Sequence, residues 1–190
     1  MSIFSDATLG DKARIIKKIN NFWDEENKKL ILKIESEWRT IETDYFKQIA
    51  ELTGVDWLYQ TYRAYFLAFG TSRGFSNPFN TRSDEFILTT GAIINPKFLT
   101  GHELFHCHYY YIVNKVGLTE RLSRTLFIEG IASLMLFETK ISKLFSETDF
   151  ARSRDSYPEV KEKWPILLEH WNKRVNFEAF LNTAAQDTRL

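Results

Sequence analysis

The chain has 190 residues, 44% apolar and 15% aromatic, enough for one sizeable core and too few for two comfortable domains. Twenty-five Lys and Arg balance 25 Asp and Glu, so no net field draws in nucleic acid or an anionic membrane surface. The one cysteine, Cys107, excludes an internal disulfide and fits a reducing compartment.

The N-terminal "MSIFSDATLGDKARIIKK" carries charges where a secretory signal needs an apolar core. The most apolar stretch, Gly130 to Phe137, is far short of the roughly 20 residues that span a bilayer. The expectation is a cytoplasmic protein with no membrane partner, although export without a signal leaves the same trace. After a short helical segment around Ile15, Ile19 and Phe22, apolar residues recur at Leu30, Ile34, Trp38, Ile41, Tyr45, Ile49 and Leu52, the spacing of an amphipathic helix that ends near Gly54. Residues 1–54 are read as a helical segment packed on the core, and 55–190 as the main domain of a single globular unit.

Between Tyr59 and Gly91 the texture changes to "TYRAYFLAF" and "EFILTT", separated by the turn-rich "GTSRGFSNPFNTRSD", which predicts a small sheet. Asn95 followed by Pro96 marks the start of a helix, and Gly117 stops it. Thr119 is placed as the cap of the next helix, "ERLSRTLFIEGIASLMLFETKISKLF". A polar stretch, "SETDFARSRDSYPEV", leads to a last helical part with Trp164, Leu168 and Trp171.

The chemistry concentrates in "GHELFHCHYYY". On a helix, Leu99, His102, Phe105, His106, Tyr109, Val113 and Val116 form one stripe. His102 and His106, at i and i+4, aim both rings at one spot, the geometry for gripping a cation. Glu103 lies about 100° around the helix, beside that spot and free to serve a water there. On the following helix Glu129 sits within the apolar stripe of Leu122, Leu126, Ala132 and Leu136, where an unpaired carboxylate costs several kcal/mol. A cation held by the histidine pair compensates it and leaves a fourth position open to water.

"HELFH" is the HExxH motif of zincins, and "FIEGIAS" resembles the second motif of gluzincin metallopeptidases, particularly the aminopeptidase N-like branch. The resemblance covers roughly residues 84 to 137, with an interval between the motifs slightly longer than usual. It implies an α+β zincin-like domain with a small mixed sheet, an HExxH helix and a glutamate helix, preceded by helices. It also implies His102, His106 and Glu129 as zinc ligands, Glu103 as general base, and hydrolysis of a peptide or protein substrate. "GAIIN", Gly91 to Asn95, has Ile94 where aminopeptidases of that branch keep an amine-binding glutamate, which argues against aminopeptidase specificity.

Gluzincins add an oxyanion donor downstream of the third ligand, for which Tyr157 is the first choice and His170 the second. Ser133 is either a hydrogen-bond partner of a ligand or a small packing residue, His108 and Cys107 are read as structural, and Arg152 and Arg154 as a solvated loop. "EFILTT" is either an edge strand that pairs with substrate or an ordinary half-buried strand. The competing functions are a zinc-binding pseudopeptidase without catalysis and a metal-free helical interaction module. Oligomeric state is left open.

Overall fold

The structure is a computed structural model that describes residues 25, 28–67, 73–76, 84–89, 96–145 and 157–190. The expected segment around Ile15, the "GAIIN" element, Arg152 and Arg154 lie outside them. By its contacts the chain divides into two compact units, Met1–Glu37 and Trp38–Leu190. Residues 28–37 of the first are helical (α1), and Ile34 is buried there.

In the second unit, α2 (Glu42–Thr53) buries Tyr45, Ile49 and Thr53. The apolar spacing from Leu30 to Leu52 predicts one continuous helix; the structure interrupts it at Thr40 and Ile41, where the Ile41 amide donates to the Trp38 carbonyl (2.9 Å) in a tighter i−3 turn. The buried face nevertheless continues through Trp38, Ile41, Tyr45 and Ile49. Gly54 ends α2 at φ 69°, a left-handed cap open to a residue without Cβ.

Three strands follow: β1 (Arg63–Leu67), β2 (Arg73–Ser76) and β3 (Glu85–Thr89). Their order is β1-β3-β2, with β1 parallel to β3 and β2 antiparallel to it. The sheet is therefore small and mixed, within a mostly helical chain. One expectation needs correction: the segment read as turn-rich contains β2. Of the two readings open for "EFILTT", the structure shows the ordinary half-buried strand, since β3 is central and paired on both sides. Phe86 and Leu88 of β3 are buried and Ile87 is exposed, the alternation of a sheet with one face on the core.

Helix α3 (Pro96–Lys115) packs against β2, β3 and α5 (Thr125–Phe137). It runs between the bounds that Pro96 and Gly117 imply, and Gly117 has φ 73°. The sequence suggests one apolar stripe; instead, every residue from Phe98 to Tyr109 is buried, so α3 is the central helix of the unit. The long helix expected after Thr119 is three pieces. These are α4 (Thr119–Leu122), α5 and a 3-10 turn (Lys140–Leu144). Ser123 Oγ donates back to the Thr119 carbonyl, and Thr139 Oγ1 donates to the Met135 carbonyl (2.6 Å) while accepting from the Ile141 amide (3.1 Å). Such local bonds give the backbone an alternative to the helical ladder, and the breaks fall at both residues. Thr119 is thus the first helical residue and Leu118 the cap.

The last helical part is two helices, α6 (Pro158–Lys173) and α7 (Phe177–Gln186). Asn176 separates them, its side chain accepting from the Ala179 amide (2.8 Å). Helix α6 lies along α5 closely enough that a Cβ on Gly130 would stand 2.7 Å from Leu167 Cδ1 and 3.8 Å from Val160 Cγ1. Among the described residues, no helix is long and apolar enough to cross a membrane.

Candidate metal centre

The two histidines come from the middle of α3 and the carboxylate from the second turn of the adjacent α5. His102 and His106 are buried, one helical turn apart, with rings 4.4 Å apart and nearly perpendicular. Their Nε2 atoms approach to 2.9 Å. Glu129 Oε2 is 3.1 Å from His102 Nε2, and Glu129 Oε1 is 3.6 Å from His106 Nε2. These three side chains form the group able to hold a metal ion among the described residues.

Hydrogen bonding alone does not account for this convergence. One N–H on His102 Nε2 cannot point squarely at both Glu129 and His106, so without a cation at least one of the three contacts sets two donors or two lone pairs against each other. Donors about 2.0–2.1 Å from a tetrahedral zinc stand about 3.3 Å from one another, close to the separations found here. Two imidazoles and a carboxylate also suit zinc chemically, and three protein donors leave a fourth position free. The residues present therefore fit the ion.

Electrostatics agree with a site built around charge. Burial pushes the Glu129 carboxyl up, but the hydrogen bonds and charges of His102 and His106 outweigh it and hold the group well below the usual carboxylate range. Burial lowers His102, and the Glu129 bond with the Glu129 and Glu103 charges raises it above its ordinary value. The Nδ1 atoms of His102 and His106 are buried and have no hydrogen-bond partner among the described residues. With Nε2 on a metal, each Nδ1 carries a proton available to an acceptor.

Glu103, the residue after His102, is only 4% exposed. No described residue hydrogen-bonds its carboxylate, whose oxygens are not among the fully buried unpartnered atoms. Its charge acts on both His102 and Cys107.

His108 is fully buried on another side of α3, its ring stacked on Trp57 (4.4 Å) and its Nε2 3.1 Å from Thr53 Oγ1. Burial pushes its pKa down to about 3, so the ring is neutral packing. Cys107 is buried, and desolvation drives its thiol up to about 12, a poor nucleophile and a poor ligand. Ser133 is buried. His170 Nε2 is engaged by Asp187 Oδ2 at 2.8 Å. Tyr157 is half-buried at the start of α6, whose first turn reaches the start of α5 through Arg124 and Glu159 (2.9 Å).

Two aromatic neighbours of the site escape a reading focused on metal-ligating residues. The Phe98 ring lies 6.1 Å from that of His102, and the Tyr110 ring 6.4 Å from that of His106. Each is one helical turn outside a ligand, at i−4 and i+4, so the spacing that pairs the histidines also marks these rings. No family model matches the chain, and neither a curated protein nor a solved structure does.

Proposed function

We propose that the chain is a zinc-dependent peptidase of gluzincin type, with His102, His106 and Glu129 as ligands and Glu103 as general base. The observation that carries this reading is the buried triangle of Nε2 and carboxylate atoms beside a buried acid that no described residue bonds. Metal binding alone has no use for that acid, whereas hydrolysis does. The architecture supports the same reading, since a short antiparallel edge strand, β2, lies against the helix that carries both histidines.

Zinc in such a set supplies an acidified water and a polarised carbonyl. Glu103 accepts the proton of the attacking water on its free carboxylate and returns it to the departing amine. Glu129 and the two imidazoles hold the ion and stay out of proton transfer. Tyr157 donates to the developing oxyanion. It stands three residues before Val160, which faces Gly130, the neighbour of the third ligand, at the same end of α6. His170 is the weaker candidate because Asp187 holds its Nε2.

The test is digestion of a defined peptide library by zinc-loaded protein, with and without chelator. Cleavage that chelation stops and zinc restores supports the reading; an intact library with loaded protein rejects it. In the same assay Tyr157→Phe loses roughly 10²-fold in turnover at unchanged zinc content, the cost of removing one oxyanion donor. Unchanged turnover removes Tyr157 from the mechanism.

A further inference from the structure

Helix α2 touches α3 at the residue that precedes the first ligand. Tyr45 is fully buried, and its hydroxyl donates to the carbonyl of Gly101, a partner 56 positions away in the chain. Burial raises the Tyr45 hydroxyl well above its ordinary pKa, with a small contribution from Cys107, so it remains a donor across the working pH range.

Gly101 is required by this approach. A Cβ there would stand 2.8 Å from Phe145 Cζ and 3.2 Å from Tyr45 Cε2, and both contacts are with rings rather than with the end of a flexible chain. The missing side chain lets the Tyr45 ring reach the backbone of α3 directly. The same rings continue to the ligand. Tyr45 meets Phe145 edge-on (6.3 Å), Phe145 meets Phe98 edge-on (5.5 Å), and Phe98 lies against His102 (6.1 Å). Tyr45 is itself wedged between Trp38 (5.1 Å) and Trp57 (6.2 Å), which leaves its hydroxyl little freedom to follow a displaced helix.

We infer that Tyr45 is a positioning residue for the metal centre: through the Gly101 carbonyl it fixes the rotation and height of α3 at His102, and so sets the separation between His102 and Glu129 on α5. This rests on the metal-site reading but not on catalysis. Groups that orient ligands are worth 10- to 100-fold in metal affinity in characterised sites. A bond made to the backbone beside a ligand belongs at the lower end of that range.

The experiment is a competitive zinc titration and the visible spectrum of the cobalt-substituted protein, for the native chain, Tyr45→Phe and Ile49→Val. Tyr45→Phe keeps the ring and deletes only the hydroxyl. Ile49→Val trims a fully buried side chain of the same helix, one turn on, and controls for lost packing. The expected result is roughly tenfold weaker zinc binding and a shifted cobalt spectrum for Tyr45→Phe, with both readouts native in Ile49→Val. Native affinity and spectrum in Tyr45→Phe, or equal changes in both variants, overturn the inference. A native chain that binds no zinc fails the metal-site reading itself, which the same titration shows separately.

Discussion

Replacing Glu103 by glutamine lowers chelator-sensitive peptide cleavage by about 10²- to 10⁴-fold, the range contributed by a positioned general base, while zinc content stays at the native level. Glutamine has the shape of glutamate and no proton-accepting carboxylate, so packing around the α3 backbone is kept. The substitution is isosteric at a buried position, so the thermal stability of Glu103→Gln stays close to native. That combination of lost activity, retained metal and near-native stability separates a catalytic acid from a structural one. Retained cleavage in a zinc-loaded Glu103→Gln protein removes Glu103 from the chemistry.

Stripping the metal lowers the melting temperature by roughly 10 °C relative to protein held at a thousandfold excess of zinc over its dissociation constant. At that excess, binding to the native state alone is worth about 4 kcal/mol, and chains of this length shift by about 2–4 °C per kcal/mol. The physical source is the triangle itself. Without a cation, at least one of the contacts of 2.9 to 3.6 Å among Glu129 and the two imidazoles sets like groups against each other in a buried space. Scanning calorimetry of stripped and zinc-loaded protein checks this, and a melting temperature indifferent to zinc argues that the three side chains are held by packing alone.

The sequence is most informative where chemistry conflicts with burial. An i, i+4 histidine pair among apolar residues and a glutamate inside an apolar stripe both demand a partner, and the structure brings these three together. The ends of α3 are equally legible, because Pro96 and Gly117 act on their own backbone. Less legible are features decided by distant neighbours or by local competition. Strand β2 is four residues long and flanked by turn formers, so only pairing with β3 makes it a strand. Ser123 and Thr139 break a well-patterned helix through local side-chain-to-backbone bonds that hydrophobic spacing does not register. His108, a polar residue beside the ligands, is buried because Thr53 and Trp57 receive it from α2 and the segment that follows. The Tyr45 bond to Gly101 has no local signature at all.

The most direct test of the metal centre is zinc content per chain, by plasma mass spectrometry, on native and Glu129→Ala protein purified without chelator. About one zinc per native chain, lost or strongly weakened in Glu129→Ala, is the predicted result. No zinc in either protein, even after zinc is added back and excess removed, contradicts the metal centre and leaves the His102–His106 pair as core packing.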